Sequence, residues 1–146
     1  VSICLDAFAL LCWLQDEPGA ELVEGYLAAG SAEPESRPRI SLMNLGEVFY
    51  RLARTRGREA AEDFWSEIHS GAIPVRPVAV TRSRVLEAAK LKARYRIAYA
   101  DAFAIELARD HALPLLTGDP EMRAIENQEP VELRWLPMKP RTGGNR

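Results

Sequence analysis

Four acids in this chain sit badly with their neighbours. Asp6 is the only charged residue between Val1 and Gln15, and Leu5 and Ala7 through Leu11 surround it with apolar side chains. A carboxylate in that setting is costly unless a donor, a proton or a cation compensates it. Asp101 lies in Ala98-Tyr99-Ala100-Asp101-Ala102-Phe103-Ala104. At helical spacing it shares a stripe with Ala104, Ile105 and Ala108, while Glu106, Arg109 and Asp110 point elsewhere. Glu47 borders the apolar face of a helix, between Leu45 and Val48, with Asn44 one turn back. Asp119 closes the run Leu115-Leu116-Thr117-Gly118 just before Pro120. Each acid also has an ordinary explanation. Asp6 suits an N-cap, Asp101 an early helical turn, Asp119 a turn before proline, and Glu47 a solvated surface.

The set says more than any member. Clustered carboxylates raise one another's pKa unless a cation offsets them. Hard oxygen ligands without a nearby histidine suit Mg²⁺ or Mn²⁺. His69 and His111 are the only histidines, which is poor material for zinc and leaves no plausible Ser/His/Asp arrangement.

The elements that must position these acids alternate short apolar runs with longer amphipathic stretches. Strands are expected at Val1–Leu5, Ile40–Met43, within Ile73–Val80, at Leu113–Thr117 and at Glu132–Leu136. Pro74 and Pro77 leave the third only a few paired residues. Helices are expected over Phe8–Leu14, over Ala20–Ala29 with Gly30 as its stop, and from Asn44 as N-cap to Arg56. Further helices span Arg58–Ser70 up to Gly71, Arg82–Tyr95 capped by Thr81, and Ala98–His111. Strands separated by helices imply an α/β, three-layer sandwich, with a central, mainly parallel sheet of four to five strands flanked by helices. In such sheets ligands bind beyond the carboxyl ends of the strands, where strand order reverses. All four acids fall at those ends or in the first turns that follow.

The chain has 146 residues, 47% hydrophobic and 27% charged. Residues 1–136 read as one domain and 137–146 as a basic tail that frays. No apolar run is long enough to span a bilayer. The segment Val1–Leu14, with Asp6 at its centre and no basic head, reads as neither signal peptide nor anchor, and the expected location is the cytoplasm. Cys4 and Cys12 cannot build a disulfide framework or a four-sulfur site. The formal charge of −2 excludes a globally basic nucleic-acid binder but not local basic patches. Arg51, Arg54, Arg56 and Arg58 form one such patch. A second runs from Arg82 to Arg96, and Arg94 and Arg96, just ahead of Asp101, are its candidates for RNA contact.

Four segments carry a resemblance to a known family: Leu5-Asp6-Ala7-Phe8-Ala9-Leu10-Leu11, Asn44-Leu45-Gly46-Glu47-Val48, Ala98 through Ala104, and Leu116-Thr117-Gly118-Asp119. In order and spacing they resemble the PIN domain, and more narrowly a VapC-type ribonuclease toxin of a type II toxin–antitoxin system. The resemblance implies a PIN-like fold and a Mg²⁺- or Mn²⁺-dependent endoribonuclease that hydrolyses RNA phosphodiester bonds with a metal-activated water. It carries the metal-ligand and catalytic roles onto Asp6, Glu47, Asp101 and Asp119, with Thr117 and Asn44 in support. It also implies a cognate antitoxin protein, an RNA substrate and a homodimer. Ala7 departs from the Ser or Thr that often follows the first aspartate, which removes one hydrogen bond near the metal but no ligand. Two other readings stay open: a PIN-type RNA-processing nuclease without antitoxin, and a non-catalytic PIN-like binding module. A haloacid-type phosphatase would want a second acid two residues after Asp6, where Phe8 stands.

Overall fold

The computed structural model describes residues 2–137; the expected basic tail, from residue 138 onward, lies outside the described residues. Five strands form one sheet: β1 (Cys4–Leu5), β2 (Arg39–Ser41), β3 (Arg76–Val78), β4 (Leu115–Thr117) and β5 (Leu133–Trp135). The spatial order is β3-β2-β1-β4-β5 and every pairing is parallel. Successive strands step outward on one side of β1, and the chain then returns to its other side. The order therefore reverses between β1 and β4, which is where a parallel sheet opens a crevice at its carboxyl edge. Asp6 follows β1 and Asp119 follows β4, so the two acids flank that crevice.

Side-chain alternation along the strands divides the core in two. Ile3, Leu5, Ile40 and Leu116 face the layer made by α1 (Ala7–Leu14), α2 (Ala20–Ala32), α3 (Leu42–Arg56) and α4 (Arg58–Ser70). Cys4 and Leu115 face the opposite layer of α5 (Arg82–Arg94) and α6 (Tyr99–His111). The expected three-layer sandwich is the one observed. Arg84 ties α5 to α6 by reaching Glu106 at 2.9 Å and Asp110 at 3.1 Å, and Arg109 reaches Glu87 at 3.1 Å and Glu129 at 2.9 Å. These pairs fix the axis of the helix that carries Asp101. Among the described residues, no helix is long and apolar enough to cross a membrane.

Three local expectations are corrected. Asn44 is not the N-cap of α3: that helix starts at Leu42, and Ser41 caps it, its Oγ accepting from the Met43 N–H at 3.1 Å. The second strand accordingly ends at Ser41, not Met43. Asn44 lies fully buried in the first turn, and its Nδ2 donates to the Ala100 carbonyl of α6 at 3.0 Å. Two good capping residues stood three positions apart, and the long-range partner in α6 decided between them.

Gly30 does not stop α2, which continues to Ala32. Its lack of a side chain serves close packing instead. A Cβ there would meet the Arg37 Cα at 2.8 Å and the Pro74 carbonyl oxygen at 3.0 Å. Gly25, on the same helix, faces open space. Alanine is favoured over glycine inside a helix by about 1 kcal/mol, so the two sites should respond with opposite signs. Gly25→Ala is expected to raise the urea midpoint and Gly30→Ala to lower it, the backbone clash outweighing the propensity gain.

Candidate metal centre

Asp6 ends β1 in extended backbone and caps α1, its Oδ1 accepting the Ala9 N–H at 2.8 Å. Its Oδ2 accepts a short hydrogen bond from the Thr117 hydroxyl of β4. The same hydroxyl accepts the Asp119 N–H at 3.1 Å. Thr117 thus links the two strand ends that flank the crevice. Asp119 caps the 3-10 turn Pro120–Ile125, its Oδ1 accepting the Glu121 N–H at 3.0 Å. Glu121 in turn accepts the Ala98 N–H at 3.1 Å, satisfying a backbone donor at the start of α6 that has no side-chain cap of its own. The ordinary capping roles of Asp6 and Asp119 are real, and they are also what aims these carboxylates.

Asp101, Asp119 and Glu121 each offer a carboxylate oxygen within 4.8 Å of the others. Asp101 is 6% exposed, and its Oδ2 is buried without a hydrogen-bond partner among the described residues. Glu47 is drawn toward Arg51, whose guanidinium lies 3.1 Å from its Oε2. Glu47, Arg51, Asp101 and Asp119 share a cleft of about 310 Å³ with Phe8, Leu11, Gln15 and Glu17. Asp6, 1% exposed, lies beneath it. Three of the four acids singled out in the sequence therefore line one cleft, and the fourth supports it through Thr117. Glu121 and Arg51 were not marked as site residues. Glu121 follows Asp119 by two positions in an ordinary-looking turn, and Arg51 was one member of a basic run.

Arg94 and Arg96 do not face this cleft. They line a neighbouring surface cavity of about 690 Å³ with Lys92, Tyr95 and Glu121, so Glu121 stands between the basic surface and the acids. Arg94 lies 3.3 Å from Glu129 and over the Tyr95 ring at 5.3 Å.

Electrostatics expose the cost of the arrangement. Burial pushes Asp6 up to about 7; Thr117 and the Ala9 N–H pull it back, and the charges of Asp119 and Glu47 push it further. Asp101 rises to about 8, first through burial, then through the charge of Asp119 and a hydrogen bond with it, then through Asp6 and Glu47. Burial also raises Glu47, against the opposing pull of Arg51. An orphaned buried carboxylate oxygen, hard oxygen donors within one small sphere and mutual repulsion together fit a divalent cation.

The sequence profile of the PIN domain family matches residues 3–128. Among curated proteins, no sequence matches. Among solved structures the chain is similar to VapBC2 from Rickettsia felis bound to a promoter DNA fragment, with 12% identity, TM-score 0.69, and 94% of this chain and 100% of that chain covered. It is similar to VapC20 of Mycobacterium tuberculosis, described as a sarcin–ricin loop cleaving toxin, with 20% identity, TM-score 0.63 and coverage of 84% and 93%. A toxin–antitoxin complex from Klebsiella pneumoniae matches with 15% identity, TM-score 0.60 and coverage of 88% and 94%. At these identities the likeness is one of fold.

The raised carboxylates make stability depend on pH with a definite sign. Asp6 and Asp101 hold protons in the folded chain up to about 7 and 8 but release them near 3.8 when unfolded. The folded state therefore binds more protons across that window, and the chelated protein loses stability as pH rises through it. Asp101→Asn is expected to stabilise the chelated protein at pH 8 by on the order of 2 kcal/mol and to reduce the stabilisation that added Mn²⁺ provides. Urea unfolding with chelator and with Mn²⁺, at pH 5 and pH 8, checks both.

Proposed function

The chain belongs to the PIN domain family, and from that premise we propose that it is a Mg²⁺- or Mn²⁺-dependent endoribonuclease acting as the toxin of a toxin–antitoxin pair. The observation that carries the reading is the unpartnered, buried Oδ2 of Asp101 beside Asp119 and Glu121. The similar Klebsiella protein belongs to a toxin–antitoxin complex, and the similar mycobacterial protein is described as a sarcin–ricin loop cleaving toxin; the first supports the toxin part of the reading and the second its cleavage part.

Asp101, Asp119 and Glu47 are the proposed direct ligands, with Asp6 completing the acidic set from below. A divalent cation, when bound, lowers the pKa of a coordinated water and offsets charge on phosphoryl oxygens. Thr117 holds Asp6 against the Asp119 backbone and so keeps the two strand ends in register. Asn44 pins the first turn of α3, and with it Glu47, to the first turn of α6 that carries Asp101. Arg51 neutralises Glu47 and places one cation inside the cleft, where a phosphodiester must approach carboxylates. Arg94 and Arg96 extend positive charge along the adjacent surface, suited to the backbone of an RNA strand. The proposed protein partners are a cognate antitoxin and a second copy of the chain. Exposed Tyr50 on α3, and Val85 and Leu86 on α5, offer them apolar surface. An RNA substrate puts this work in the cytoplasm.

Purified chain, free of any partner, is expected to cut total cellular RNA at discrete positions with Mg²⁺ or Mn²⁺ and not with chelator. Loss of groups that merely orient metal ligands costs about 10–100-fold, so Asp101→Asn should reduce cleavage by about a hundredfold or more. Folded protein that binds Mn²⁺ but leaves all RNA intact would overturn the proposal.

A further inference from the structure

Phe8 is an aromatic residue in an unusual place. It is the second residue of α1, two positions after Asp6, yet its side chain turns away from the core and is 42% exposed. It lines the same cleft as Glu47, Arg51, Asp101 and Asp119. Its ring is also held. It lies so close over Gly118, between Thr117 and Asp119, that a Cβ at Gly118 would fall 2.4 Å from its Cε1 and 2.8 Å from its Cδ1. Gly118 has ordinary negative φ, so the backbone does not demand glycine there. What a side chain at 118 would disturb is the seat of the Phe8 ring.

A phenylalanine this exposed on an acidic cleft gains only part of what burial would give it and offers no charge or hydrogen bond. What it does offer is a fixed π-face. Flat partners stack on such a face whatever their sequence, and unpaired nucleobases are the flat partners a phosphodiester substrate brings with it. A phosphate drawn to Arg51 and the acids leaves its own base one sugar away, within the same cleft. A base inside a duplex is already stacked and paired, so this contact selects unpaired RNA. Resting on the ribonuclease reading above, we propose that Phe8 is a positioning residue that stacks the base adjacent to the scissile phosphate, so that the site takes single-stranded or looped RNA. Gly118 keeps the ring in that position.

The probe is a set of short single-stranded oligoribonucleotides of mixed sequence, each carrying the fluorescent base 2-aminopurine at a different position. Stacking on an aromatic ring quenches that base. With wild-type chain and Mg²⁺, quenching is expected to peak at a position next to the cut site. Phe8→Leu should abolish the peak and weaken RNA binding by roughly five- to a hundredfold, the range of one base–aromatic stack. Its effect should fall on KM more than on kcat, with Mn²⁺ affinity unchanged. Phe8→Trp should restore the peak. Replacing the adjacent base with an abasic site should cost the wild type the same factor and cost Phe8→Leu nothing further. Cleavage with a quenching profile indifferent to Phe8 would overturn the proposal and leave the ribonuclease reading standing, with the ring serving a protein partner instead. Oligonucleotides that neither bind nor are cut, in the presence of Mg²⁺, would overturn both.

Discussion

Everything in this structure follows from forcing like charges together at one edge of a parallel sheet. Asp6, Glu47, Asp101 and Asp119 come from four distant stretches of sequence, and the charges of Asp119, Glu47 and Asp6 raise the free energy of their neighbours' ionised forms. A chain selected only for stability would not keep them. The β3-β2-β1-β4-β5 order is what makes the convergence unavoidable. Any acid placed after β1 and any placed after β4 must meet where the strand order reverses, and the second turn of α3 and the first turn of α6 deliver the other two.

The fold offsets this cost locally. The Thr117 hydroxyl donates to Asp6 while accepting from the backbone of Asp119, so one small side chain serves both strand ends. Arg51 holds Glu47 one helical turn away, the separation at which side chains on a helix meet. Asp101 receives least: its Oδ2 is left without a donor among the described residues, and its carboxyl is pushed up to about 8. The repulsion is therefore concentrated where the proposed cation would relieve it. Rigidity comes from elsewhere, from the Arg84 and Arg109 pairs across α5 and α6 and from the Asn44 contact with Ala100.

Much of this was legible from sequence because it rests on rules of short range. Short apolar runs marked the strands; Gly57 and Gly71 marked the limits of α4; Thr81 marked the start of α5, and its hydroxyl does accept the Arg84 N–H. The illegible parts are those decided by residues far apart in the chain. Nothing near Gly30 announces that Arg37 and Pro74 will press against it. Nothing near Asn44 announces Ala100. Glu121 looks like any exposed turn glutamate until the α6 backbone arrives beside it, and the placement of Arg94 and Arg96 on a separate surface depends on the corner between two helices.

The acids also show why capping and chemistry cannot be separated residue by residue. Asp6 had an ordinary reading as an N-cap beside its reading as a site, and in the structure it is the cap of α1. An ionised carboxylate has two oxygens and about four acceptor positions. The Ala9 N–H takes one and the Thr117 hydroxyl another, and both bonds orient the group. Asp119 repeats the pattern with the Glu121 N–H. A cap therefore does not compete with a functional role for the same residue. It fixes a carboxylate at the positive end of a helical turn, on the edge where the strand ends converge. A carboxylate so constrained is better prepared for a cation than a free one, because the order has been imposed by the fold before the ion arrives.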